Sequence, residues 1–288
     1  MSIGIREFRI KQGSKVMVKV IINADDYGID PEATKAITDC MDKGWVTNTT
    51  LMVNMPSCEE AVRQARDNGH LDRIGLHVNI YEGVPLTERI RECREFCDES
   101  GRFNFRFMSG GFHRSFLPLK SADADALREE VVAQFERYLE LGLPVKHFDA
   151  HHHCHVVPRV IPTVFGVARK YGFKSVRRPP NLDVRVKLRS KIYRPMNEAI
   201  RMMLIRPYGF SYTDYMGGID DVRTRFDNRG FRNGDTIDLM VHPVYMKNGK
   251  NDLSGEIIDS WTRPMAETMS LLEEHPDVFV KISYKDIQ

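Results

Sequence analysis

The chain has 288 residues, of which 42% are hydrophobic and 28% are charged, a composition typical of a globular protein with a large buried core. Its 42 Lys and Arg residues nearly balance its 40 Asp and Glu residues, so the net charge of +2 does not indicate nucleic acid or an anionic membrane as a partner. No apolar run approaches the roughly 20 residues that a membrane-spanning helix requires.

The first fifteen residues mix charged with apolar side chains and lack the continuous apolar core of a signal peptide. The five cysteines are sparse and odd in number, which is typical of free thiols in a reducing compartment. These two features predict a cytoplasmic protein.

The first half of the chain alternates predicted strands with predicted helices. Residues 16–24 form a nearly unbroken apolar run, as expected of a strand buried on both faces of a parallel sheet. A helix is predicted to follow, with Asp30 as its N-cap and Pro31 in its first turn. Ser57 and Glu60 have the spacing of a capping box and predict the start of a second helix. Further strands are predicted at residues 45–53, 73–80 and 145–150, and a long helix at residues 121–141.

The same alternation continues to the C-terminus. Strands are predicted at residues 173–177, near Phe210, and at residues 236–242 and 278–283, with helices centred on Phe165, Met196, Val222 and Met269. Seven or eight such units without a linker predict one α/β domain over residues 1–288, folded as a (β/α) barrel rather than as two open sheets.

Residues 81–120 interrupt this pattern. The stretch contains several glycines and six phenylalanines but no periodic helix or strand. Loops of this length in compact domains are usually functional, so we expect an inserted, lid-like region.

Polar side chains follow several of the predicted strands, at the edge where barrel enzymes place catalytic groups. Asp25 and Asp26 end the first strand, His77 lies late in the third, and His242 follows a late one. Two adjacent buried carboxylates would repel one another unless a cation lay beside them. The sequence therefore predicts a metal site at this edge.

The fourth predicted strand leads into a histidine cluster that strengthens this prediction. Four of the ten histidines occur within His151-His152-His153-Cys154-His155, and imidazole is a common ligand of divalent metals. If the backbone stays extended, His147, Asp149 and His151 share a face, and Asp149 could orient a ligand histidine. If it turns into a helix, His151 and His155 share a face instead. The sequence leaves both geometries open.

Four segments together resemble a known family, the YdjC-like carbohydrate deacetylases, which include the chitooligosaccharide deacetylases. They are Asn23-Ala24-Asp25-Asp26-Tyr27-Gly28, Gly75-Leu76-His77, His147-Phe148-Asp149-Ala150-His151-His152-His153-Cys154-His155 and Val241-His242-Pro243. Tyr27 stands where the family usually has Phe. The resemblance implies a distorted (β/α) barrel, a divalent metal ion, deacetylation of N-acetylated sugars, and a homodimer.

Roles for individual residues follow from the resemblance. It implies that Asp26, His77 and His151 bind one divalent ion, with Mg or Zn favoured and Co or Ni also suited to this ligand set. It makes Asp25 the general base that takes a proton from water, and His242 the general acid that protonates the departing amine. The remaining candidates would contact the metal-binding or catalytic side chains and orient them, or would bind substrate: Asp149, His153, His155, and Arg177 or Arg178.

Two alternatives differ from this interpretation. A barrel metallo-phosphoesterase of the histidinol-phosphatase type would carry several metals and an early His-x-His pair, whereas no histidine precedes His70 here. A sugar-binding protein without turnover would keep the barrel but lose catalytic groups, and all the proposed groups are present. Metal content and acetate release distinguish the three.

Overall fold

The computed structural model describes residues 16–109, 114–182, 188–260 and 263–288, with the backbone alone for residues 188–195. Within these ranges the strands are β1 Val18–Tyr27, β2 Asn48–Leu51, β3 Ile74–Val78, β4 His147–Ala150, β5 Ser175–Val176, β6 Tyr215–Gly217, β7 Thr236–Val241, β8 Pro243–Lys247, β9 Lys250–Asn251, β10 Glu256–Asp259, β11 Arg263–Pro264 and β12 Phe279–Lys281.

The helices alternate with the strands of the main sheet. They are α1 Pro31–Asp42, α2 Cys58–Asp67, α3 Glu88–Arg91, α4 Ser121–Glu140, α5 Ile161–Lys170, α6 Leu188–Ile205, α7 Ile219–Asn228 and α8 Met265–Glu274. Short 3-10 helices cover Leu71–Arg73, Phe105–Met108, His151–Val156, Arg206–Tyr208 and Tyr284–Ile287. Among the described residues, no helix is both long enough and apolar enough to cross a bilayer.

The main sheet is parallel and curled, which confirms the predicted α/β barrel class. Its strands run in the order β5-β4-β3-β2-β1-β7-β6, and β12 pairs with the N-terminal part of β1. The two edges approach each other where Ser175 forms an isolated bridge with Ser211, shortly before β6. The barrel is therefore distorted, since its edges are joined through this short contact rather than through full strand pairing.

The central strands form the core because both of their faces are covered. The β1 side chains Val20, Ile21 and Ile22 are fully buried, as the apolar run predicts for a strand between layers of helices. All β1 neighbours pair in parallel, so the carboxyl ends of β1, β2, β3, β4 and β7 lie along one edge. The residues that follow these strands are consequently brought together.

Most predicted elements are confirmed, but two local features differ. The Asp30 carboxylate accepts a hydrogen bond from the Ala33 backbone N–H at 2.7 Å, as predicted for an N-cap. The capping box predicted at Ser57 is wrong, because the Ser57 side chain makes no capping hydrogen bond and Glu60 pairs with Arg63 instead. All five cysteines lie in the described ranges and are unpaired.

A second sheet, which the sequence pattern did not indicate, begins directly after β7. It is antiparallel, with the order β11-β10-β8-β9. Its strands are short and partly exposed, so they lack the apolar alternation that identifies a strand in a sequence. The β8–β10 pair continues from His242 and lies beside the candidate site.

The insertion at residues 81–120 packs on the barrel over its described part. Phe96, Phe103 and Phe107 are buried, and Cys97 forms an isolated bridge with Phe103. Glu95 makes an ion pair with Arg159. These contacts hold the inserted segment against the body next to α5.

Candidate metal centre and active site

A distortion at the end of β1 brings two adjacent carboxylates to one cleft. The register between β1 and β2 shifts between Ala24 and Tyr27, and Asp26 has a left-handed φ of 68°. Consecutive strand residues normally point to opposite faces. The irregular backbone instead allows Asp25 and Asp26 both to line the cleft. A non-glycine residue in this conformation is strained, and such strain is concentrated at functional sites.

Three predicted ligands converge at this cleft. Asp26, His77 and His151 each offer one ligand atom, and these atoms lie within 4.8 Å of one another. The Asp26 Oδ1 atom lies 3.2 Å from Nε2 of His77 and 2.7 Å from Nδ1 of His151. Donors bound to one ion at about 2.1 Å are themselves separated by about 3 Å. The three residues therefore fit a single divalent metal ion.

The histidine cluster adopts neither of the two geometries that the sequence left open. The segment His151–Val156 is a 3-10 helix interrupted by left-handed conformations, with φ of 48° at His152 and 55° at His153. This turn leaves its first histidine beside Asp26. It sends His155 inward, where Nε2 lies 3.0 Å from the carbonyl oxygen of Arg177. His153 lines the cleft. Burial is the main cause that lowers the pKa of its imidazole to about 3, and the positive charge of Arg177 lowers it further.

Asp149 lies behind the cleft and contacts the His77 ring. Its Oδ1 atom is 2.6 Å from Nδ1 of His77, and its side chain is fully buried. Burial by itself would lower the pKa of His77, but the carboxylates around it, Asp149 first, raise that pKa to about 10. The carboxylates around His77 thus stabilise positive charge at its ring. The close approach of the three candidate ligand atoms also indicates a cation site here.

Arg177 joins three buried carboxylates. Its guanidinium contacts Asp25 at 2.5 and 2.9 Å, Asp149 at 3.0 Å and Asp238 at 2.9 Å. Burial would raise the pKa of Asp25, yet the Arg177 charge outweighs this and holds it far below its usual range. Asp25, His77 and Asp149 form a second group close enough to share a cation. The guanidinium already supplies that cation, so the arrangement favours one metal ion rather than two.

His242 lies on the more exposed side of Asp25. Its Nε2 atom is 4.0 Å from Oδ2 of Asp25, and 30% of its side chain is exposed. The cleft, with a volume of about 660 Å³, is lined by Asp25, Asp26, Ile29, Asp30, His77, Glu82, His151, His152, His153, Met240, His242 and Ser260. An imidazole and a carboxylate therefore lie close together in one cleft.

Two functional candidates were not found from the sequence. Glu82, in the loop after β3, places Oε1 2.6 Å from Nε2 of His151. Burial would lower the pKa of His151, but Asp26 and Glu82 raise it to about 9. Asp238 contacts Arg177 from β7. Asp238 could have been found from the sequence, because a carboxylate within the apolar run of β7 indicates a buried polar contact. Glu82 could not, because it lies in an irregular loop without a periodic pattern.

The Tyr27 departure from the family pattern lies outside the cleft. The Tyr27 hydroxyl is 2.9 Å from Oγ1 of Thr38 in α1 and donates to the carbonyl oxygen of Ala61 in α2 at 2.8 Å. The side chain is fully buried. This side chain therefore joins two helices and is not among those that line the cleft.

Several known proteins are similar to this chain. A carbohydrate deacetylase of Vibrio cholerae serotype O1 is 38% identical over 154 residues, which cover 54% of this chain and 56% of the relative, so the match spans about half of that protein. Carbohydrate deacetylase 1 of Listeria innocua serovar 6a is 28% identical over 258 residues, covering 88% of this chain and 91% of the relative.

A solved structure has the same fold over most of the chain. It is a proposed cellobiose-phosphate cleavage protein from Enterococcus faecalis, with a TM-score of 0.62 and 20% identity, covering 94% of this chain and 98% of that one. The profile of the family described as YdjC-like protein matches residues 19–273. Because that match includes β1, the histidine cluster and β7, the chain belongs to the YdjC-like protein family.

Proposed function

We propose that this protein is a metal-dependent carbohydrate N-deacetylase that hydrolyses the N-acetyl group of sugars containing N-acetylglucosamine and releases acetate. The main observation is that ligand atoms of Asp26, His77 and His151 lie within 4.8 Å of one another, in a cleft that Asp25 and His242 also line. The carbohydrate deacetylases among the similar proteins support the same activity.

One divalent ion would be held by Asp26, His77 and His151. A carboxylate and two imidazoles leave coordination positions open for water and substrate, as catalytic sites require. This ligand set suits Mg or Zn, and it also suits Co or Ni. When bound, the ion supplies Lewis acidity, which polarises the acetamide carbonyl and lowers the pKa of a water molecule. The position of Arg177 between Asp25 and Asp149 supports a single ion.

Asp25 and His242 would transfer the protons. Arg177 holds the Asp25 carboxylate ionised and in place in the cleft, where it would accept a proton from the attacking water. His242 lies 4.0 Å away at the open side of the cleft, where it would donate a proton to the nitrogen of the breaking amide bond. An amine leaves poorly unless it is protonated, so the reaction requires such a donor.

The insertion at residues 81–120 would contact the sugar. Tyr81 lies 4.0 Å from the His152 ring and 6.0 Å from the Phe105 ring, both measured between centroids. Phe105 is 61% exposed although it is aromatic. The rings of His152, Tyr81 and Phe105 thus form a row from the cleft to the surface, and this row offers an apolar face to a sugar ring. We propose that this segment acts as the lid of the site.

Three further parts of the proposal rest on the resemblance and the composition. They are a homodimer, a cytoplasmic location, and a single domain over residues 1–288, of which residues 1–15, 110–113, 183–187 and 261–262 lie outside the described ranges.

The test is acetate release by the metal-loaded protein. A panel of N-acetylglucosamine monosaccharides and oligosaccharides, each with and without a 6-phosphate, would identify the substrate. We expect acetate release that a chelator abolishes and added Mg or Zn restores. Release of phosphate instead of acetate would favour the phosphoesterase alternative, and no release of either product would favour a sugar-binding protein.

A further inference from the structure

The two histidines of the candidate metal centre have matching surroundings. Each ring has one nitrogen next to Asp26 and the other next to a second carboxylate. For His77 the outer nitrogen is Nδ1, 2.6 Å from Asp149. For His151 it is Nε2, 2.6 Å from Oε1 of Glu82. Histidines that bind metals almost always donate their second ring N–H to a carboxylate, a carbonyl or water. Glu82 thus lies beside the outer nitrogen of His151 as Asp149 lies beside that of His77, although only the Asp149 contact has hydrogen-bond geometry in this structure.

The contact is consistent with an ion bound through Nδ1 of His151, the atom that lies 2.7 Å from Oδ1 of Asp26. A neutral imidazole has one N–H and one nitrogen lone pair, so an ion bound through Nδ1 leaves the proton on Nε2. The Glu82 carboxylate, 2.6 Å from Nε2, would then stabilise that N–H.

The backbone around Glu82 is itself held in place. The Asn79 side chain accepts hydrogen bonds from the backbone N–H groups of Tyr81 and Glu82 at 3.0 and 3.2 Å, and it donates to the Glu82 carbonyl at 2.8 Å. Gln134 in α4 bonds to both backbone groups of Asn79, at 3.0 and 2.7 Å. Because fully buried Gln134 fixes the start of this loop, the Glu82 position is determined by the barrel.

We infer that Glu82 is a positioning residue that holds the His151 ring in the orientation needed to bind a divalent ion through Nδ1. This inference rests on the proposed metal site. It differs from a surface ion pair because one partner is a buried ring with its other nitrogen at the metal centre. The Glu82 side chain is 44% exposed whereas Asp149 is fully buried, so we expect Glu82 to contribute less than Asp149.

The test uses Co²⁺ as the probe, since its visible absorption reports the coordination. The full-length protein, freed of metal, is titrated with Co²⁺ as wild type, Glu82→Ala, Glu82→Gln and Asp149→Asn. Loss of a carboxylate behind a ligand histidine weakens metal binding about 10- to 100-fold. We expect a loss in this range for Glu82→Ala with unchanged band positions, and a smaller loss for Glu82→Gln, whose amide keeps an oxygen acceptor of similar reach beside Nε2.

Glu88→Gln is the matched control, because Glu88 lies at the start of α3, is 83% exposed and pairs with Arg91. Its Co²⁺ affinity should equal that of the wild type. Nitrogen NMR of the zinc-loaded protein should show the proton of His151 on Nε2, and this signal should weaken in Glu82→Ala.

The outcomes separate this inference from the proposed function. If wild type and Glu82→Ala bind Co²⁺ with equal affinity, the role of Glu82 is overturned and the proposed metal site is not. A changed absorption band in Glu82→Ala would show that Glu82 binds the ion itself, which also overturns the positioning role. Wild type that binds no Co²⁺ would overturn both the metal site and the inference.

Discussion

The Arg177 guanidinium contacts both oxygens of Asp25, at 2.5 and 2.9 Å, although Asp25 lies in β1 and Arg177 follows β5, 152 positions later. Both side chains are almost completely buried. The same guanidinium also contacts Asp149 and Asp238, so one cation is shared by three carboxylates behind the cleft. The geometry of Asp25 therefore depends on Arg177.

Arg177→Met should destabilise the fold, because it leaves three buried carboxylates without their cation. Breaking a buried ion pair by removing one partner costs about 3–5 kcal/mol of the free energy of unfolding. Urea denaturation measures this change. The control is Arg63→Met, since Arg63 is 62% exposed and pairs with Glu60, and exposed pairs contribute about 0–1 kcal/mol. Equal stability of Arg177→Met and wild type would mean that the network is unimportant for folding.

His77→Ala and His151→Ala should lose metal and activity together, since each removes one of three candidate ligand atoms. Affinity should fall by more than the roughly 100-fold that loss of a supporting carboxylate causes. Metal content after dialysis against a defined Zn²⁺ concentration is the measurement. His275→Ala is the control, because His275 packs against Phe226, away from the cleft. Full metal occupancy in either variant would contradict the ligand assignment.

Asp25→Asn should keep the metal but lose most turnover. The amide has the same size and still faces Arg177, but it cannot take a proton from water. General-base catalysis contributes about 10²- to 10⁴-fold, so we expect kcat to fall by that factor. Acetate release and metal content are measured on the same sample. A rate near that of the wild type would remove Asp25 from the mechanism.

Tyr27→Phe should lower stability without lowering activity. It restores the residue usual in the family but removes the hydroxyl that donates to the Ala61 carbonyl and contacts Thr38. The Ala61 carbonyl lies within α2 and keeps its helical partner, so the cost is that of one intramolecular hydrogen bond, about 0.5–1.5 kcal/mol. Thermal or urea unfolding gives the change, and acetate release should match the wild type. A large loss of kcat with unchanged stability would mean that Tyr27 acts in the site.

The lid should close over bound sugar. In the Asp25→Asn variant, which would bind substrate without turning it over, hydrogen exchange of the described residues 81–109 and 114–120 should slow on addition of an N-acetylated sugar. The protection could reach about 100-fold at a ligand concentration of 100 Kd. Residues Ile219–Asn228 of α7 do not line the cleft and should exchange unchanged. Unchanged exchange in the insertion would contradict the lid.

Phe105 allows a more local test of the same idea. Because its side chain is 61% exposed, Phe105→Ala should change the free energy of unfolding by less than about 0.5 kcal/mol. If its ring contacts the sugar, KM should rise while metal affinity stays constant. Unchanged KM across the substrate panel would place the sugar elsewhere in the cleft.

The amino-acid sequence by itself determined the order of the elements and the edge at which the site lies. Parallel strands buried on both faces have nearly unbroken apolar runs, as residues 18–24 show, and polar residues that end such runs are conspicuous. Since parallel strands align their carboxyl ends, Asp26, His77 and His151 could be assigned to one edge without coordinates. The helix limits followed from local signals such as the Asp30 cap.

The tertiary structure alone decided which atoms meet. The left-handed turn at His152 and His153 directs His151 to Asp26 and His155 to the interior, and side-chain periodicity does not encode such backbone angles. Arg177 reaches Asp25 across 152 positions, and Glu82 reaches His151 from an irregular loop. These contacts depend on the curvature of the sheet and on packing between distant segments, whereas a sequence pattern reports only neighbours along the chain.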